Sequence, residues 1–98
     1  MLRHVVVFTW TSDAGADAKR AVAEALAALP ATVTTIRDYR FGSDAGVNEG
    51  NCDFAVVADF DDVDGYLIYR DHPAHQRVIR DLIAPILANR HAVQFTWE

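Results

Sequence analysis

From Leu2 to Trp10 the chain is apolar, aromatic or β-branched at almost every position and has no glycine or proline, which predicts a strand. His4, Val6, Phe8 and Trp10 fall on one face of it and Val5 and Val7 on the other, so both faces call for cover. After this the period lengthens. Ala18, Val22, Ala25, Leu26 and Leu29 form one stripe at helical spacing behind a cap at Ser12 or Asp13, and Pro30 is expected to stop that helix. A second strand is predicted over Thr32 to Phe41, with a slip in alternation between Ile36 and Tyr39 that suggests a bulge or a second buried face. Gly42 to Asn51 is a polar loop leading to a third strand, Asp53 to Phe60, so the two strands read as a hairpin. Asp61 or Asp62 caps a short helix that closes near Tyr69. Pro73 opens another, whose Val78, Ile79, Leu82 and Ile83 stay amphipathic until Pro85 breaks it. A last strand is expected from about Asn89 to Trp97, with His91, Val93, Phe95 and Trp97 alternating against Ala92, Gln94 and Thr96.

The resulting order, β-α-β-β-α-β, is that of an α+β ferredoxin-like unit, a four-stranded antiparallel sheet with both helices on one face. Two helices cover only that face. Because the first strand is apolar on both sides, the simplest cover for the other is the sheet of an identical chain, which predicts a homodimer.

Composition narrows the function. At 98 residues the chain is one domain, and with 51% of its residues hydrophobic it has more apolar surface than so small a core readily buries, which also favours self-association. A formal charge of −5, with no basic run, excludes nucleic acid and anionic membrane as natural partners. Cys52 is the single cysteine, so neither an intrachain disulfide nor a cysteine-based metal site can form, and nothing near it marks a reactive thiol. The apolar run Val5 to Phe8 is far too short to span a bilayer and no signal-peptide pattern precedes it, so a cytoplasmic location is expected. The three glycines of the 42–51 loop fit no nucleotide-binding spacing, and a strand rather than a helix follows them.

Candidate chemistry gathers in Tyr69-Arg70-Asp71-His72-Pro73-Ala74-His75, which sets a phenol and two imidazoles around a helix-opening proline. Pro73 disfavours helical geometry at His72 and so places His72 at or near the N-cap, with His75 one turn further on. Groups that exchange protons near neutral pH, held at a helix junction, suit general acid–base chemistry. Each also has a structural reading: His72 as a helix cap, His75 and Tyr69 as groups bonded within the protein, His4 as a satisfied core histidine. Trp10 and Trp97, at strand ends, suit packing or dimer contacts. His91 matches no site.

Four segments, Arg3-His4-Val5-Val6-Val7-Phe8, Asp53-Phe54-Ala55-Val56-Val57-Ala58-Asp59-Phe60, Tyr69-Arg70-Asp71-His72-Pro73-Ala74-His75-Gln76 and Val93-Gln94-Phe95, together resemble the stress-responsive α/β-barrel (Dabb) family. The resemblance spans essentially the whole chain, and its HPAH tetrapeptide is the most specific part. It implies a dimeric α+β barrel in which two sheets pack face to face. Some members of this family are polyketide cyclases of the olivetolic acid cyclase type, which close a poly-β-keto thioester by aldol condensation without metal or cofactor. By position, the resemblance implies Tyr69, His75 and His4 as catalytic residues and His72 as a substrate contact; Phe8, on the His4 face, is a second candidate contact. An aldol closure needs a base for the proton flanked by carbonyls and a donor for the enolate oxygen; His75 suits the first role and Tyr69 the second. The charged pair Arg70-Asp71 departs from the apolar residues expected there and disfavours a greasy polyketide tail.

Three functions therefore stand at this point, none requiring a cofactor or metal. They are a cyclase or related proton-transfer enzyme on a small apolar carbonyl compound, a non-catalytic stress-response or ligand-binding dimer, and a cofactor-free monooxygenase. A filled interior with both histidines bonded to protein favours a structural role; a cavity with convergent ring nitrogens favours an enzyme.

Overall fold

A computed structural model describes residues 1–98. Its elements run β1 (Leu2–Trp10), α1 (Ala16–Thr32), β2 (Asp38–Ser43), β3 (Phe54–Phe60), α2 (Val63–Asp71), α3 (Pro73–Val78) and β4 (Leu87–Thr96), with one π-helical turn (Ile79–Ile83) and one 3-10 turn (Ala84–Ile86) between α3 and β4. The strands form one antiparallel sheet in the order β2-β3-β1-β4, the ferredoxin-like arrangement. No helix is long and apolar enough to cross a membrane.

The alternation of β1 decides where the core lies. Leu2, His4, Val6, Phe8 and Trp10 are buried under the helices, while Arg3, Val5, Val7 and Thr9 on the reverse face are half-exposed. Val22, Leu26 and Leu29 of α1, Phe54, Val56, Ala58 and Phe60 of β3 and Tyr69 of α2 pack with Val6, Phe8 and Trp10, joined by Val33, Val78 and Ile83.

The barrel implied by the resemblance is not present. The sheet is open, with β2 and β4 as its two edges. The reason is strand number: about eight strands are needed before a closed sheet has room for its own interior side chains, and this chain supplies four. Its outer face carries Val5, Val7, Ala55, Val57, Val93 and Phe95 in cross-strand register, beside a bidentate Arg3–Asp59 pair at 2.8 Å whose guanidinium lies 4.7 Å from the centre of the Trp97 ring.

Several boundaries differ from the sequence expectation. Pro30 sits inside the last turn of α1 rather than ending it, and the helix is entered at Gly15 with no side-chain cap. Burial of Leu29 and Val33 on either side of Pro30 holds that turn, which ends with the Val33 N–H donating to the Leu29 carbonyl at 2.8 Å. Residues 33–37 are therefore a turn, and β2 starts only at Asp38; the slip in alternation before Tyr39 marked a turn and not a bulge. The cap of α2 agrees with expectation: of the two candidates it is Asp62, accepting from the Gly65 N–H at 2.9 Å. The helix runs two residues beyond Tyr69, to Asp71.

Two irregularities follow Val78. Five residues of π-helix replace the expected α-helical continuation, and the β1–β4 register shifts so that Trp10 pairs with Leu87 while Thr9 pairs with Asn89, leaving Ala88 as a bulge. Such features widen or re-aim an element and recur beside functional sites.

Candidate functional site

Between the inner face of the sheet and the helices lies a cavity of about 160 Å³, lined by ten hydrophobic residues together with His4, His75, Arg70 and Arg90. β1 contributes His4, Val6 and Phe8, α1 contributes Leu26, and α2 contributes Tyr66, Tyr69 and Arg70. The π-helical turn supplies Ile79 and Ile83. Leu87 and Arg90, three residues apart, would face opposite ways in a regular strand; the bulge at Ala88 absorbs the odd residue and both line the cavity.

His4 is only 4% exposed. The Gln94 side-chain amide donates to its Nδ1 at 2.8 Å, which leaves the proton of the neutral ring on Nε2. No buried side-chain nitrogen or oxygen lacks a partner, so Nε2, which makes no hydrogen bond within the chain, is not sealed from solvent. Burial, reinforced by the positive fields of Arg90 and His75, pushes the His4 pKa down to about 4, and the ring is neutral at pH 7.

His75 has the opposite polarity. Its Nδ1 lies 3.1 Å from the Arg70 carbonyl, which can only accept, so Nδ1 carries the proton and Nε2 keeps its lone pair. Burial lowers its pKa against the raising effect of the Arg70 and Tyr69 backbone carbonyls, with Arg90 and His72 lowering it further. The two cavity-lining histidines thus carry opposite tautomers, with an N–H at Nε2 of His4 and a lone pair at Nε2 of His75.

Tyr69 connects them. Its ring stacks on His75 at 4.0 Å between centroids and lies 6.2 Å from His4. Its hydroxyl shares a 2.9 Å hydrogen bond with the Tyr39 hydroxyl. Burial raises the pKa of both phenols, that of Tyr39 to about 12, so Tyr69 is a neutral hydroxyl and never a base near neutral pH.

Of the residues singled out from sequence, His4, Phe8, Tyr69 and His75 all line this cavity. His72 does not. It is the N-cap of α3, its Nδ1 accepting from the Ala74 N–H at 3.0 Å. No three His, Cys, Asp or Glu side chains are grouped to hold a metal ion. Sequence reasoning missed Gln94, Tyr39 and Arg90. Strand parity was the available signal for Arg90 and Gln94, which share the even-numbered face of β4, but only the register with β1 sets them opposite Phe8 and His4.

The model of the stress responsive A/B barrel domain matches residues 2–97. The chain belongs to this family. An uncharacterized protein of Streptomyces coelicolor is 33% identical over 78 residues, covering 78% of this chain and 80% of its own. The crystal structure of a dimeric ferredoxin-like protein of unknown function from Thermobifida fusca is 45% identical, superposes with a TM-score of 0.91, and is matched over 98% of this chain and 90% of its own. A dimeric protein of ferredoxin-like fold from Bacteroides fragilis is similar at 28% identity and a TM-score of 0.82, over 98% and 95% of the two chains. The Dabb assignment thus rests on nearly the full length, and it fixes the fold while leaving the chemistry to the cavity.

Proposed function

We propose that this Dabb protein is a homodimer that binds a small molecule between the sheet and helices of each chain. The observation that carries the reading is the cavity itself, lined by two histidines that each spend only one ring nitrogen on the protein, His4 on Gln94 and His75 on the Arg70 carbonyl. At about 160 Å³ it resembles the space of roughly 150 Å³ that admits benzene in an engineered core. That volume suits a one-ring or short-chain compound better than a linear polyketide. Dimerisation is supported by the outer sheet face, where Val93 and Phe95 are 55% and 44% exposed, and by the dimeric description of the Thermobifida and Bacteroides relatives. Phe95→Asp should convert the dimer to monomer in sedimentation; an unchanged dimer would move the interface elsewhere.

Ala84, at the mouth of the cavity, gives the direct test of binding. An NMR screen of one-ring compounds should find ligands that shift the His4 and His75 ring resonances, and Ala84→Trp, which fills the mouth, should weaken them at least tenfold. If no compound moves those rings in the wild type, the cavity is not a binding site.

The opposed tautomers favour a second reading, proton transfer at a small carbonyl compound, with His75 Nε2 removing a proton beside the carbonyl and His4 Nε2–H donating to its oxygen. Tyr69 then acts by holding the His75 ring, with its hydroxyl set by Tyr39. Deuterium uptake by bound ketones in heavy water, lost in His75→Gln, is the expected signature; uptake equal to the uncatalysed rate would leave binding alone.

A further inference from the structure

We propose that the ligand of this cavity is a small carboxylate whose charged end is held by Arg90 at the mouth while its apolar body points inward. This rests on the cavity being a ligand site. Three observations point to a single negative charge. Six of the chain's eight arginines are engaged in ion pairs: Arg3, Arg20, Arg37, Arg40, Arg70 and Arg80. Arg90 has neither an ion pair nor a side-chain hydrogen bond, and the other free one, Arg77, faces a separate groove between α1 and α3. Despite the net charge of −5, no aspartate or glutamate lines the cavity, so the Arg90 charge meets no compensating carboxylate there.

The histidines register the same imbalance, since the Arg90 field contributes to lowering the pKa of both His4 and His75. An anion seated against Arg90 relieves it. Geometry favours the mouth over the interior: Arg90 is exposed, so a carboxylate can pair with its planar fork without giving up all its water, whereas a buried one would be costly. Deeper in, Val6, Phe8, Leu26, Val56, Ile79 and Ile83 offer only hydrocarbon, which suits a ring or a short alkyl chain. One free guanidinium matches one negative charge.

Benzoate and benzamide, nearly equal in shape and different in charge, separate the two claims when titrated into the full chain by NMR. The wild type should bind benzoate at least fivefold more tightly than benzamide. Arg90→Gln should abolish the difference while keeping benzamide binding, and Arg90→Lys should restore part of it. Equal binding of the two probes by the wild type, or a preference that survives Arg90→Gln, overturns the carboxylate assignment and leaves the cavity as a site for neutral ligands. Binding of neither probe, with Ala84→Trp spectra unaffected by either, overturns both readings.

Discussion

Phe60→Ala is expected to lower the stability of the folded chain by about 3–5 kcal/mol. Phe60 is fully buried at the C-terminal end of β3, opposite Leu2 of β1, with Tyr69 and Tyr66 at 5.3 and 5.8 Å between ring centroids. Truncation removes the transfer free energy of the ring and leaves a void beneath two tyrosines whose backbone is fixed by α2. For a chain this short each kcal/mol shifts melting by about 4–8 °C, so a fall of roughly 15–30 °C should be seen in thermal scans, with a matching loss in urea titrations. Phe60 does not line the cavity, so the surviving folded fraction should keep its ligand affinity. A loss below about 1.5 kcal/mol would show that the site collapses around the missing ring and that the aromatic cluster is less rigid than its packing implies.

Acidification from pH 7 toward 4 should destabilise the folded chain. His4 takes up a proton near the ordinary value of 6.5 when unfolded but only near 4 when folded, so between those pH values the unfolded state binds more protons. The stabilisation is therefore complete above pH 6.5 and is lost as pH falls toward 4. A difference of this size corresponds to a loss on the order of 3 kcal/mol. His75, also lowered by burial, acts in the same direction. Asp59 differs: Arg3 holds its carboxyl below the usual range, and its contribution goes only below the ordinary value of 3.8. Urea titrations at pH 7, 5.5 and 4.5 should show the decline, and His4→Phe should flatten much of it. Identical pH profiles for the two proteins would mean that His4 has the same pKa in the folded and unfolded chain and that its burial does not disfavour the charged ring.

Legibility from sequence followed the range of the interactions involved. β1 was readable to the residue because period-2 alternation over Leu2–Trp10 is a local property, and the N-cap at His72 was readable because Pro73 acts on its neighbour. Pro30 misled, since its local helix-ending tendency yields to the burial of Leu29 and Val33, which is tertiary. The start of β2 was lost for the same reason. At the site, His4, Tyr69 and His75 were visible by residue type and position. What they do to one another was not: the donor sense of His4 is set by Gln94, ninety residues away, and the hydroxyl of Tyr69 is occupied by Tyr39. The barrel was a property expected of an assembly, and one chain's four strands form an open sheet.

Ala88 gives β4 an uneven tolerance to changes in length. Because that residue stands outside the ladder, losing it would join Leu87 to Asn89 in regular pairing and keep Leu87, Arg90 and Gln94 on the helix side. Loss of a residue further along, at Ala92 for instance, would turn everything beyond it over, carrying Gln94 away from His4 and driving Val93 inward. Insertions and deletions accepted during divergence should therefore collect at this one point of the strand, where the chain can lengthen or shorten without exchanging its inside for its outside.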